Sequence, residues 1–202
     1  DPTRVHFGAL RVLNDDTVAP GEGFGTHPHD NMEIVSIVLS GALKHGDSMG
    51  HMKILEPGDI QVMSAGTGIT HSEMNASREE PAKFLQIWVL TDADNHTPRY
   101  NQIELLPGKR NELRLIVGPE SHGSEHVGWI HQKAWFYTLG LDAGHETEYR
   151  MNLHGNGAYV FVVEGRVEVA GEELGPRDGM GIEDADDFRI KASEDAKVLI
   201  IE

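Results

Sequence analysis

Hydrophobic positions along the chain fall in short runs of β-branched and aromatic residues, and turn residues separate these runs. Such runs predict β-strands, because no stretch keeps an apolar period of 3.6 residues over the length of a helix. The intervening turns are rich in Gly, Pro, Asn and Asp. Many short strands predict an all-β sandwich or barrel. The clearest runs are 34–39, 60–63, 84–89, 135–137, 159–163 and 198–201.

An internal repeat divides the chain into two similar halves. The run that ends at Gly41 and is followed by Pro57-Gly58-Asp59 resembles the run that ends at Gly165 and is followed by Pro176-Arg177-Asp178. We therefore predict two tandem barrels, at residues 1–100 and 101–202, which suits the size of ordinary domains. Residues 91–112, rich in Asp, Asn, Pro and Gly, are the predicted connection between the barrels.

The composition excludes several kinds of site. The chain has no cysteine, which excludes disulfides, thiolate ligands and a cysteine nucleophile, so any metal must bind to His, carboxylate or water. A formal net charge of -16 disfavours direct binding to nucleic acid or to anionic lipid. No apolar run approaches the roughly 20 residues of a membrane helix, and no signal-peptide pattern is visible. We predict a cytoplasmic protein that does not bind membranes.

Two short segments carry side chains suited to binding a metal. In a β-strand, residues i and i+2 project from the same face, so His27-Pro28-His29 directs two imidazoles into one space, and His71-Ser72-Glu73 directs an imidazole and a carboxylate. If the segments lie on neighbouring strands, the four donors converge and leave coordination positions open. Three imidazoles and one carboxylate suit Fe, Mn, Co, Ni, Cu or Zn and disfavour Ca or Mg.

The second half of the chain lacks these donors at the corresponding positions. Aligning Gly41 with Gly165 sets Met151 and Leu153 opposite the histidines of the first segment. Aligning the two aspartates that end the Pro-containing turns sets Ile190 and Ala192 opposite His71 and Glu73. The sequence therefore predicts a metal-binding N-terminal barrel at residues 1–100 and a C-terminal barrel without metal ligands at 101–202.

The spacing of glycines, histidines and acidic residues resembles the two motifs of the cupin superfamily, and longer runs resemble the pirin family within it. This resemblance implies an all-β bicupin, two tandem jelly-roll-like barrels. It assigns the metal to His27, His29, His71 and Glu73. The runs that carry it span most of residues 8–90 and include Leu10-Arg11-Val12-Leu13-Asn14-Asp15-Asp16, His27-Pro28-His29, Pro57-Gly58-Asp59, Met63-Ser64-Ala65-Gly66-Thr67-Gly68-Ile69 and His71-Ser72-Glu73-Met74.

The carboxylate ligand has an alternative. Most cupins take it from the first motif, where Glu33 stands in this sequence, six residues after His27. Glu33 could be a ligand, an acceptor that orients a histidine, or a solvent-facing residue. The pirin resemblance assigns Glu73 instead. The other histidines, including His45 and His51, are expected to be solvated or hydrogen-bonded side chains without a role at the metal.

The resemblance to bacterial pirins implies quercetin 2,3-dioxygenase activity, in which O2 opens the central ring of a flavonol with loss of carbon monoxide. Fe(II) is the expected ion, with Cu, Ni, Co, Mn or Zn as alternatives. Glu73 would serve as a ligand and as the base that accepts the hydroxyl proton. The resemblance equally implies a regulatory role through metal-dependent contacts with a protein partner. A third reading is a metal-dependent isomerase or decarboxylase, because one fold hosts many chemistries.

Overall fold

The computed structural model describes residues 5–202, which form 19 β-strands and one three-residue 3-10 helix, Glu120–His122. The prediction of an all-β chain is confirmed, and all six runs singled out in the sequence overlap strands, with Trp135 alone among their residues outside one. Within these described residues, no helix is long and apolar enough to cross a membrane. The chain divides into two compact units, each of which is described separately below.

The first unit comprises the described residues up to Leu106 together with Pro119–Lys133. One of its sheets has the strand order β1-β8-β3-β6-β9 and the other has the order β2-β7-β4-β5. The strands are β1 Leu10–Val18, β2 Gly23–His29, β3 Met32–Ser40, β4 Leu43–Asp47, β5 Met52–Leu55, β6 Asp59–Ser64, β7 Ile69–Asn75, β8 Ala82–Leu90, β9 Arg99–Glu104 and β11 Gly128–Ile130.

The second unit comprises Pro107–Gly118 and Ala134–Glu202. Its sheets have the orders β10-β12-β19-β14-β17 and β13-β18-β15-β16. The strands are β10 Arg114–Pro119, β12 Phe136–Leu141, β13 Glu146–Arg150, β14 Ala158–Glu164, β15 Val167–Val169, β16 Glu172–Leu174, β17 Gly179–Ile182, β18 Asp187–Ala192 and β19 Ala196–Ile201. The order β12-β19-β14-β17 repeats β1-β8-β3-β6, and β13-β18-β15-β16 repeats β2-β7-β4-β5, so the internal repeat is a repeat of strand topology.

The connection predicted at residues 91–112 includes one strand of the first unit. Residues Arg99–Glu104 form β9, which pairs antiparallel with β6 at the edge of the first sheet. Buried Ile103 lies opposite Ile60, which explains why this polar segment joins the barrel. The division of the chain at residues 100 and 101 stays a prediction.

The two units fill their interiors differently. In the first unit, Val18, Val38, Leu43, Leu55 and Phe84 form a buried apolar cluster. In the second unit a larger apolar cluster includes Ile190 and Ala192, the residues that align with His71 and Glu73. Apolar side chains therefore occupy the space that polar donors occupy in the first unit.

The glycine that ends the repeated run has the same structural role in both units. Gly41 has φ +72° and Gly165 has φ +78°, a backbone conformation that L side chains rarely adopt. A Cβ atom at Gly41 would lie 2.5 Å from the carbonyl oxygen of Pro81, and one at Gly165 would lie 2.1 Å from that of Asp195. Both turns require glycine because the adjacent backbone leaves no space.

We expect Gly41→Ala to lower the free energy of unfolding by at least about 2 kcal/mol, because it combines left-handed backbone strain with a backbone clash. Urea unfolding followed by circular dichroism measures the change. Gly50→Ala is the matched control, since Gly50 has φ +92° but open space around the added Cβ. Equal losses for the two variants would contradict the clash at Gly41.

Candidate metal centre

Three histidines of the first unit converge on one point inside the barrel. Strands β2 and β7 pair antiparallel with His27 opposite His71, and His29 lies two residues after His27 on the same strand face. The ring centroids are 4.8 Å apart for His27 and His29, 4.5 Å for His27 and His71, and 4.9 Å for His29 and His71. One ring nitrogen from each residue lies within 4.8 Å of the others. We call these three residues the three-histidine cluster.

The nitrogens of this cluster are available as ligands. The Nδ1 atom of His27 lies 2.7 Å from the carbonyl oxygen of Gly25. Because a carbonyl only accepts, Nδ1 carries the proton and Nε2 keeps its lone pair. The Nε2 atom of His29 and both ring nitrogens of His71 are buried without a hydrogen-bond partner. Buried polar atoms are normally paired, so these atoms are arranged for a partner that is not part of the chain.

His29 and His71 are held in the neutral form that binds metals. Burial lowers the pKa of His29 to about 4, and the neighbouring His27 adds to the effect. Burial, followed by the charges of His27 and His29, lowers the pKa of His71 to about 3. Near pH 7 both rings are therefore neutral and present free lone pairs.

Glu73 follows His71 by two residues on β7 and is fully buried. Its carboxylate accepts hydrogen bonds from the facing sheet: Ser36 Oγ and Gln61 Nε2 donate to Oε1 at 3.2 and 3.1 Å, and Gln86 Nε2 donates to Oε2. Ser36 lies opposite both Gln61 on β6 and Gln86 on β8, so the three donors form one row across three strands. Burial raises the pKa of Glu73, and the three hydrogen bonds oppose that rise.

Glu73 shares a cluster with His71 but not with His27 and His29. Its nearest potential ligand atoms belong to His45 and His71, within 4.8 Å. A carboxylate has about four lone-pair positions, and the three donors occupy three of them. One position remains for a further partner. The structure therefore places the three histidines in one group and Glu73 in a second group with His71 and His45, and His71 is the residue common to both groups.

Glu33, the alternative carboxylate, belongs to neither of these two groups. It lies on β3, three residues before Ser36, so the two side chains project from opposite faces of the strand. Its Oε2 accepts a 2.6 Å hydrogen bond from Ser64 Oγ. Burial raises its pKa, whereas Ser64, His131 and Arg99 act in the opposite direction. The even spacing from His27 does not place Glu33 on the same face, because the chain turns at Asn31, with φ +44°, between two different sheets.

His45 is the residue that sequence reasoning missed. It is fully buried and hydrogen-bonded, one of the two states expected, and it lies directly opposite Glu73 in the pairing of β4 with β7. Its Nε2 lies 3.0 Å from the carboxylate of Asp47, and its Nδ1 has no hydrogen-bond partner. Asp47 also contacts His51 Nδ1 at 2.9 Å. The available signal was the i, i+2 spacing of His45 and Asp47, which repeats the pattern of the two ligand segments but lies outside the strands predicted from the sequence.

Aromatic rings line the rest of this interior. Trp88 contacts His29 edge to face at 4.9 Å, and its Nε1 donates to Gln86 Oε1 at 3.2 Å. Tyr100 stacks on His45 at 4.4 Å and on His51 at 4.8 Å. Neutral imidazoles with unpaired nitrogens, one buried carboxylate and the absence of thiols fit a divalent transition metal ion.

The two-sheet barrel with inward-facing histidines makes this chain a cupin-type protein. Residues 1–89 match the family model described as Pirin, and residues 115–202 match the one described as Quercetinase C-terminal cupin domain. The chain belongs to the pirin family. It is 38% identical to "Quercetin 2,3-dioxygenase" of Escherichia coli, covering 100% of this chain and 85% of that protein, and 36% identical to "Pirin-like protein" of Caulobacter vibrioides, covering 100% and 86%.

Solved structures agree with this assignment. The crystal structure of YhhW from Escherichia coli superposes with a TM-score of 0.94 at 36% identity, covering 100% of this chain and 84% of that one. The structure described as bacterial pirin YhhW in complex with nickel(II) has a TM-score of 0.92 at 35% identity, covering 100% and 85%. These neighbours confirm the predicted bicupin fold and show that a relative binds a divalent metal.

Proposed function

We propose that this chain is a metal-dependent dioxygenase of the pirin type that cleaves flavonols such as quercetin with O2. The observation that carries the proposal is the convergence of three imidazoles with available nitrogens inside the barrel. The names of the Escherichia coli relative and of a Pseudomonas aeruginosa relative, "Putative quercetin 2,3-dioxygenase PA1210", support the reaction and the substrate.

The proposed ligands are His27, His29, His71 and Glu73, and the proposed ion is Fe(II). The nickel complex of YhhW supports Ni among the alternatives. Co, Cu, Mn and Zn stay candidates because an N/O donor set accepts each of them. When bound, such an ion polarises a hydroxylated substrate and, if it is redox-active, reacts with O2. The cytoplasmic location remains a prediction.

The side chains of the proposed site have different roles. The three histidines hold the ion, and the Gly25 carbonyl fixes the tautomer of His27. Glu73 is the proposed fourth ligand and the acceptor of the flavonol hydroxyl proton. Ser36, Gln61 and Gln86 orient its carboxylate from the facing sheet, and burial keeps water away from it. A fixed carboxylate in a dry site needs little reorganisation when it accepts a proton.

A surface depression of about 310 Å³ beside His29 offers a route by which a substrate could reach the site. It is lined by Pro28, Asp30, Thr67, Gly68 and Ile69, among others. His27 and His29 are partly exposed, whereas His71 and Glu73 are buried. This difference in exposure would let a substrate approach the ion from the solvent side, while protein ligands bind it from the barrel interior.

The test is turnover of quercetin by tag-free protein that has been stripped with a chelator and reloaded with Fe(II). We expect the reloaded protein to consume O2 and release carbon monoxide in equal amounts. The stripped protein should neither consume O2 nor release carbon monoxide. Repeating the assay with Ni, Co, Cu, Mn and Zn ranks the alternatives. Metal binding without flavonol turnover under any loading would overturn the proposal and favour the regulatory alternative, a metal-dependent protein partner.

A further inference from the structure

A second group of metal-binding side chains lies in the first unit and shares no residue with the proposed centre. Asp92 and His96 belong to the connection between β8 and β9, and His131 follows β11. One ligand atom from each lies within 4.8 Å of the other two. We propose that Asp92, His96 and His131 form a second site for a divalent transition metal ion, and we call these residues the Asp92 cluster.

The donors of the Asp92 cluster already contact one another. The Oδ1 atom of Asp92 lies 2.8 Å from Nε2 of His96. The rings of His96 and His131 stack at 3.7 Å with an angle of 3° between their planes. The Nε2 atom of His131 is buried and has no hydrogen-bond partner, so it is available to an ion in the tautomer that carries the ring proton on Nδ1.

Parallel rings do not direct their lone pairs at one point, so binding requires one ring to turn. His96 is the ring that can turn, because its side chain is 25% exposed, whereas the edge of Trp129 packs against His131 at 5.1 Å between ring centroids. The Asp92 side chain is 47% exposed. An ion therefore reaches the site directly from solvent, and water completes its coordination.

The charges around the Asp92 cluster favour a cation. Asp92 supplies one carboxylate, and the buried carboxylate of Glu33 interacts with His131. Arg99 is the opposing cation, and its guanidinium is directed at Trp129, since it stacks over that ring at 3.5 Å and donates to the Trp129 carbonyl oxygen. With Asp92 and Glu33 both ionised, these three groups keep one negative charge in excess. Two imidazoles and one carboxylate select ions such as Zn, Ni or Co over Ca or Mg.

The backbone beneath the Asp92 cluster is fixed by hydrogen bonds. The carbonyl oxygen of His96 accepts from Thr67 N at 2.9 Å, and Asn95 N donates to Asn31 Oδ1 at 2.7 Å. On the other side, Gln132 Nε2 donates to the carbonyl oxygen of Leu90 at 2.9 Å. Because these contacts hold both segments in place, ordering the ligands costs little, and a bound ion would cross-link the β8–β9 connection to the segment after β11.

Equilibrium dialysis of chelator-stripped, tag-free protein against Zn²⁺ tests the proposal. We expect two equivalents in the parent, one in His96→Ala, one in Asp92→Asn and one in the double variant His27→Ala/His71→Ala. Combining His96→Ala with that double variant should leave none. The double variant should also gain thermal stability with Zn²⁺, and this gain should disappear when His96→Ala is added.

The matched control is His154→Ala. His154 Nδ1 lies 2.9 Å from Asp186 Oδ1 at the surface, in a pair that belongs to no group of three donors among the described residues. His154→Ala should bind as many Zn²⁺ equivalents as the parent. The second site would be overturned if the parent bound one Zn²⁺ equivalent, or if His96→Ala and Asp92→Asn both bound two. A loss of bound Zn²⁺ in His154→Ala would also overturn it. Because the double variant lacks the proposed catalytic ligands, the result is independent of flavonol turnover.

Discussion

His71→Ala should lower metal affinity and flavonol turnover by about 100-fold or more, beyond the cost of losing a residue that only orients a ligand. His71 is the residue that the three-histidine cluster shares with the group containing Glu73. Both of its ring nitrogens are buried without hydrogen-bond partners, so its removal takes away a donor that no neighbour replaces. Metal content by mass spectrometry and O2 uptake with quercetin measure the two losses.

His126→Ala is the control for this prediction, because His126 lies in the same unit but its ring bonds only to the carbonyl oxygen of Glu104. It should keep the activity of the parent. A far-ultraviolet circular dichroism spectrum matching that of the parent would show that His71→Ala is folded. A folded His71→Ala variant with more than a tenth of the parent activity would refute the assignment of the metal to this cluster.

Phe84→Ala should lower the free energy of unfolding by about 3–5 kcal/mol. Phe84 has no exposed surface and lies opposite Val38 in the pairing of β3 with β8. It packs with Leu43 and Leu55 of the other sheet, so the substitution opens a cavity between the two sheets of the first unit. Neighbouring side chains on paired strands cannot close such a gap without disturbing the ladder.

Leu106→Ala removes a side chain that is 52% exposed and should cost less than about 0.5 kcal/mol. Urea unfolding of both variants and the parent, followed by circular dichroism and tryptophan fluorescence, gives the comparison. Similar losses in the two variants would show that packing between the sheets does not limit the stability of the first unit.

The strands and the ligand pairs could be predicted because both depend on local geometry. The β-branched residues at 34–39 indicate β3. Side chains alternate along a strand, so the pairs His27 with His29 and His71 with Glu73 each share a face wherever the strand lies. The antiparallel pairing of β2 with β7 then brings His71 to the first pair, whereas Glu73 groups with His71 and His45. The repeat of Gly41 at Gly165 predicted the second barrel for a similar reason, since both turns demand the same backbone conformation.

Glu33 and His45 show where local reasoning fails. The spacing between His27 and Glu33 assumes one continuous strand, but the chain leaves one sheet at His29 and enters the other at Met32. His45 has no partner within its own segment except Asp47, and its position opposite Glu73 arises only when β4 pairs with β7. Neither fact is encoded in the spacing along the chain.

The sequence by itself determined the all-β class and the repeat, because strand composition and turn chemistry act over a few residues. Together with the pirin resemblance it predicted the four proposed ligands. Tertiary structure alone decided which donors face one another: the row of Ser36, Gln61 and Gln86 around Glu73, and the meeting of Asp92 and His96 with His131. Register between strands distant in sequence sets these contacts, since a shift of one residue would turn every side chain to the opposite face.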